Sequence, residues 1–178
     1  MELSFALLHE QEKLFRKEEI CRLLKEGDTE FVPPLSSRFR AQNPHLSEAE
    51  CQASFAPDYY AFMCRGRIFA ALADGKILGF VAYHENYVCP YIGEETHPNI
   101  YISSLFVSKE ARGAHLTQRM YTEIFSHVGE KTRIFTRTWS TNGAHIRILS
   151  KFGFAEIARV KDERAAGIDT VYFGSAHP

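Results

Sequence analysis

The sequence predicts an α/β protein of the α+β kind, a mixed sheet with helices packed against it, and three observations predict it. After Gly66 the apolar pattern changes from helical to strand-like, and two runs, Arg67 to Ala73 and Ile77 to Tyr83, flank Asp74-Gly75. That pair suits a tight type I′ hairpin turn, because both central positions need positive φ. Next, Asn99 to Val107 is rich in Ile, Tyr, Phe and Val, as strands are, and a short turn leads from it into a helical run. Leu116, Met120, Ile124 and Val128 stand four apart on one face of that helix, and Gly129 stops it. Finally, Arg133 to Trp139 reads as a strand, Asn142 to Phe152 as a helix, and Gly153-Phe154 leads into strands at Ala155 to Val160 and Thr170 to Phe173. Hairpin, strand, helix, strand, helix and two strands make a mixed sheet with helices against it.

The N-terminal part, residues 1–65, reads as helical and irregular. Leu14 to Glu26 carries Ile20, Leu23 and Leu24 on one side and ends at Gly27-Asp28. Val32-Pro33-Pro34 enforces extended chain. Ser47 starts a second helix, with Glu50 three residues on completing a capping box. There is no repeat, low-complexity tract or linker, so residues 1–178 are expected to form a single domain with its core at about 66–174.

Composition narrows the function. The 178 residues are 45% hydrophobic and 24% charged, which suits one globular unit with a sizeable core. Lys and Arg total 21 against 22 for Asp and Glu, a net charge of -1, and no basic stripe is present to neutralise a phosphate backbone. Nucleic acid is not an expected partner. The start, Met1-Glu2-Leu3-Ser4, has neither the basic region nor the apolar core of a signal peptide, and no run approaches a membrane span, so no membrane partner and a cytoplasmic location are expected. Cys21, Cys51, Cys64 and Cys89 match no zinc spacing and no disulfide framework, and His84-Glu85 with Cys89 lacks a second cysteine pair, so no metal is expected. Monomer and homodimer both fit this composition.

The chemistry concentrates after the strand at Asn99 to Val107. A strand that delivers Arg112-Gly113 to a helix N-terminus builds an anion site, since the first-turn amides have no helical partner. A phosphorylated cofactor is expected there. Strand alternation puts Tyr101, Ser103 and Leu105 on one face and Ile102, Ser104 and Phe106 on the other. No carboxylate lies on this strand. Thr136-Arg137-Thr138-Trp139-Ser140 is an unusually polar strand end, where Arg137 or Trp139 suits a carboxylate or a ring of an acceptor. Asp162-Glu163-Arg164 and Gly167 to Asp169 read as a loop between the last two strands.

Two of these segments together resemble a known family. Arg112-Gly113-Ala114-His115-Leu116-Thr117, after Phe106-Val107, is similar to the acyl-CoA signature of the Gcn5-related N-acetyltransferases, Q/R-x-x-G-x-G/A. About thirty residues on, Asn142 to Phe154 resembles that family's second signature, an Asn opening a helix closed by Gly-Phe. The resemblance covers roughly residues 66 to 174. It implies a mostly antiparallel central sheet flanked by helices, in which one central strand splays from its neighbour and binds acyl-CoA. It implies acetyl-CoA as co-substrate, with Leu105, Phe106 and Val107 pairing with the pantetheine arm, the amides of Gly113, Ala114, His115, Leu116 and Thr117 under the pyrophosphate, Arg112 as a nearby cation and Asn142 at the pantetheine amides. The partner implied is a small-molecule or peptide amine. A base reached from the strand before the cofactor turn is implied as well, which makes Tyr101 the candidate to relieve that acceptor of a proton, directly or through water.

The match departs from the pattern at three places. His115 and Thr117 replace motif glycines, and Leu149 stands where relatives often have the tyrosine that protonates the departing thiolate. His145, one turn before Leu149, is the remaining candidate to face the thioester. An inactive acyl-CoA sensor or an interaction scaffold on the same fold is the alternative these departures keep open. The chain contains no Gly-x-Ser-x-Gly elbow, no P-loop and no dinucleotide fingerprint.

Overall fold

Seven strands form one sheet in the order β1-β2-β3-β4-β5-β7-β6. The computed structural model describes residues 2–92 and 98–175. In chain order the elements are β1 (Leu3–Leu7), α1 (Glu10–Phe15), α2 (Lys17–Glu26), α3 (Leu35–Gln42), α4 (Glu48–Cys64), β2 (Arg67–Ala73), β3 (Lys76–Glu85), β4 (Asn99–Val107), α5 (Leu116–Val128), β5 (Arg133–Trp139), α6 (Gly143–Lys151), β6 (Phe154–Ala165) and β7 (Ile168–Ser175). All neighbouring strands are antiparallel except β4 and β5, which run parallel with α5 as the crossover.

The local signals act as expected at several points. Asp74 and Gly75 both take positive φ, 49° and 76°, and close the β2–β3 hairpin. Ser47 caps α4 by accepting from Glu50 N, and the Glu50 carboxylate reaches back to Ser47 N at 2.8 Å. Gly129, at φ 86°, ends α5.

Three expectations are corrected. Residues 3–7 are not irregular but an edge strand, paired with β2 along its whole length, with Leu3, Phe5 and Leu7 turned to the core. The helix expected from Leu14 begins earlier, at Glu10, and breaks at Arg16, whose φ and ψ of -94° and 7° leave the helix; Leu14 and Phe15 at the break are exposed. The loop expected around residues 162–169 is mostly strand. β6 runs on to Ala165 and β7 starts at Ile168, with Asp162 at φ 55° in the irregular stretch of their ladder. The β7 ladder resumes at Ala165 after a bulge in which Asp162 keeps its turn conformation.

The sheet is covered on both faces. Met120, Tyr121 and Ile124 of α5 and Leu149 of α6 pack on one side with Val81, Ile102 and Val171. Ile20, Leu23 and Leu24 of α2 and Phe55, Tyr60 and Met63 of α4 pack on the other with Ile68, Phe80 and Phe106. Lys13 is buried between α1 and the end of α4, where its ammonium meets Glu10 at 2.7 Å and the Gly66 carbonyl at 3.0 Å. A buried lysine is tolerable only with such partners.

Candidate active site

β4 and β5 part company halfway along. Their parallel pairing runs from Asn99↔Arg133 to Ile102↔Thr136 and stops, after which β4 remains on β3 and β5 remains on β7. The cause lies in β4. Ala82 opposes Ser104 and Tyr83 opposes Ile102, so Ser103 is an extra residue, a bulge that bends and twists its strand. Thr136 Oγ1 donates to the Ile102 carbonyl at 3.1 Å and closes the apex of the split. Beyond it, the β5-facing backbone groups of residues 103–107 have no strand partner among the described residues.

The bulge also overturns the facing read from simple alternation. Ile102 and Leu105 both belong to the α5/α6 side, whereas Ser104 and Phe106 belong to the α2–α4 side. Tyr101, two residues before the bulge, therefore lies opposite to Leu105 rather than beside it.

The split opens a cleft of about 500 Å³. Residues 102–107 form one wall and residues 136–139 the other, with the start of α5, Asn142, Ala144, His145 and Ile148 around them and Glu30 and Phe31 at the rim. Leu105, Phe106, Val107, Arg112, Gly113, His115, Leu116, Thr117, Arg137, Trp139, Asn142 and His145 all line it. Ala114 and Tyr101 do not.

At one end the cleft meets the N-terminus of α5. Gly113 has φ 79°, and His115 at φ 55° and ψ 24° is in the left-handed region, which turns the chain into the helix. No side chain caps α5, so its first-turn amides are available to an anion. The conformation explains the glycine usual at position 115, and histidine is one of the few other residues enriched there. His115→Gly should remove the left-handed penalty, about 1 kcal/mol. Thermal denaturation should show a melting temperature higher by about 2–4 °C.

Arg112 is not free. Its guanidinium pairs with Glu30 at 2.8 Å, across the chain from a segment with no motif. Sequence reasoning missed Glu30 and Phe31 for that reason: nothing local distinguishes them. Phe31 stacks on Phe106 at 6.4 Å and tilts against Trp139 at 6.2 Å, making an aromatic side to the cleft.

Further in, Asn142 caps α6, accepting from His145 N at 3.3 Å while its amide donates to Thr138 Oγ1 at 3.0 Å. His145 Nε2 lies 2.8 Å from the Tyr121 hydroxyl, and burial pushes the imidazole down to about 4, so it is neutral near pH 7. Burial pushes the Tyr121 phenol upward in turn. Leu149 is fully buried in the core and does not line the cleft. Tyr101 stacks on Tyr87 at 4.4 Å, and burial raises its phenol, outweighing the opposing effect of Arg137. Such a phenol stays protonated and serves as a hydrogen-bonding group more readily than as a base. Among the described residues no group of His, Cys, Asp and Glu has metal-site geometry, and no helix is long and apolar enough to cross a membrane.

An open-edged strand split thus lies beside an uncapped helix N-terminus, with one cleft lined by both. Residues 32–154 match the acetyltransferase (GNAT) family, and the chain belongs to it. The fold agrees with solved structures. PH1933 from Pyrococcus horikoshii OT3 superposes with a TM-score of 0.72 at 17% identity over 99% of each chain. The yncA protein of Salmonella typhimurium, solved with its cofactor acetyl-CoA, gives 0.65 at 11% identity over 100% of this chain and 95% of that one. The ribosomal-protein-S18-alanine N-acetyltransferase of Escherichia coli gives 0.64 at 12% over 99% and 94%. No curated protein matches the sequence significantly.

Proposed function

We propose that this protein is an acetyl-CoA-dependent N-acetyltransferase that acylates a primary amine by direct attack in a ternary complex. The observation that carries the reading is the edge of β4 at residues 103–107, which has no strand partner among the described residues and lines the same cleft as the uncapped start of α5. The cleft fits the co-substrate in kind. It offers a strand edge for the amides of a pantetheine arm, a helix N-terminus for a pyrophosphate and apolar walls between them.

When bound, acetyl-CoA supplies the thioester. Leu105 and Val107 present backbone groups along the arm, and the amides of residues 113–117 hold the phosphates, with Arg112 adding charge shared with Glu30. A backbone amide near Phe106, on the β5-facing edge of β4, polarises the carbonyl as an oxyanion hole does. The neutral amine forms the new C–N bond as the C–S bond breaks, the nitrogen giving up a proton to water and the departing thiolate taking one from water. Tyr101 orients the amine or that water from the acceptor side of β4, and Arg137 and Trp139 contact the acceptor. His145 is neutral and hydrogen-bonded, so it serves as a donor near the leaving sulfur and not as a charged acid.

The sensor reading has one observation in its favour, the burial of Leu149 in place of a proton donor. Calorimetric titration with acetyl-CoA and a free-thiol assay separate the two. Binding at about micromolar affinity is expected. Arg112→Ala should weaken it roughly tenfold, and Glu30→Gln should strengthen it severalfold by releasing the cation. Amine-dependent thiol release supports the enzyme. Binding without turnover across amines, amino acids and peptides supports the sensor, and no binding at millimolar concentration overturns both.

A further inference from the structure

At the cleft wall, three guanidinium groups come near enough to act on one another from three separate elements: Arg38 of α3, Arg137 of β5 and Arg164 of β6. Arg38 and Arg164 donate to the same oxygen, the Val32 carbonyl, at 3.0 and 3.3 Å. Arg38 also donates to the Pro33 carbonyl at 2.9 Å, Arg164 to Thr170 Oγ1 at 2.7 Å, and Arg137 to the Tyr172 hydroxyl at 2.9 Å. Every one of these partners is a neutral oxygen. Among the described residues none of the three has a carboxylate within ion-pair distance, whereas Arg16, Arg22, Arg67, Arg112 and Arg159 each do. Glu163 acts on Arg137 and Arg164 only from farther away.

This arrangement is costly as it stands. Burial lowers the Arg38 and Arg164 guanidiniums, and the neighbouring arginines lower them further. Arg137 stands exposed to the cleft beside the half-buried Arg38 and Arg164; like charges gathered in this way call for a counter-charge, and fork-shaped guanidiniums match a carboxylate. The cluster adjoins the acceptor end of the cleft. Arg137 lines the cleft itself, and Arg38 lies over the ring of Phe31, which also lines it and packs on Trp139.

Given the acetyltransferase reading, on which this rests, we infer that the acceptor is an amine that also bears a carboxylate, an amino acid in the broad sense. Its carboxylate sits among Arg38, Arg137 and Arg164, and its amine reaches toward the split between β4 and β5. Arg137 contacts the acceptor directly, while Arg38 and Arg164 complete the counter-charge.

The test pairs a panel of α-amino acids, aromatic and aliphatic, with their amides and decarboxylated amines in the free-thiol assay with acetyl-CoA. Carboxylate-bearing acceptors should exceed their neutral or cationic partners at least about tenfold in kcat/KM. Arg164→Gln should raise the acceptor KM about tenfold while acetyl-CoA affinity, measured by calorimetry, changes less than about twofold. Because Arg38 and Arg164 also tether Val32, binding of N-acetyl amino acids and their amides to the CoA-loaded wild-type protein gives a second reading without substitution. Equal use of amines lacking a carboxylate overturns the inference, as does neither turnover nor product binding across the carboxylate panel. Failure to bind acetyl-CoA at all overturns the acetyltransferase reading itself and this inference with it.

Discussion

Lowering the pH from 7 to 4 should cost the fold about 3 kcal/mol through His145 alone. The imidazole is held at about 4 in the folded protein against an ordinary value of 6.5, because it is half-buried on α6 against Tyr121 of α5. Between those two values the unfolded chain binds a proton that the folded chain refuses. Stability from this group is therefore fully present above about 6.5 and is lost as the pH falls through about 4. His145→Gln keeps a hydrogen-bonding group beside Tyr121 but does not titrate. Denaturant unfolding of both proteins across this window should give a steep pH slope for the wild type and a shallower one for the variant. The slope that remains belongs partly to His84, which burial also lowers. Parallel slopes would mean that His145 takes up its proton as readily in the fold as in the unfolded chain, contrary to its depressed value here.

Gly27→Ala should destabilise the protein by about 1–3 kcal/mol. Gly27 closes α2 at φ -104°, a conformation open to any residue, so the backbone does not demand glycine. Its neighbour does. A Cβ at this position would come within 2.0 Å of Phe106 Cε2 and 2.1 Å of Cζ. Phe106 cannot yield easily, since its ring is buried and stacked on Phe31 at 6.4 Å and on Phe80 at 5.9 Å. Because Phe106 belongs to the open edge of β4, the substitution should also weaken acetyl-CoA binding. Phe106→Leu in the same background should restore part of the lost stability, a coupling that a double-mutant cycle measures. Additive losses would show that the ring and the glycine are independent.

The same position shows how far reading along the chain reaches. Gly27-Asp28 is legible as a helix end, and it is one. That Gly27 is also the seat of an aromatic ring 79 positions away is not legible, because no neighbouring residue records it. Arg112 repeats the pattern. Its place on a turn before a helix follows from the residues around it, but its pairing with Glu30 joins segments 82 residues apart. Tyr101 fails differently. Alternation is a sound rule for an unbroken strand, and Ser103 breaks it by one residue, which reverses which later residues share the face of Tyr101.

What the sequence determined by itself is whatever a few consecutive residues can decide: the Asp74-Gly75 hairpin, the capping box at Ser47, the apolar stripe of α5, the Arg112-Gly113 turn and Asn142 at the head of α6. Turn dihedrals, caps and helical periodicity are short-range effects, so the residues that cause them are adjacent. Tertiary structure alone decided the strand at Leu3–Leu7, the split of β4 from β5, the Glu30 pair and the meeting of Arg38, Arg137 and Arg164. Each of these depends on hydrogen bonds or charges brought together by the folding of distant segments, and their strength is set by the burial and geometry that only the packed chain supplies.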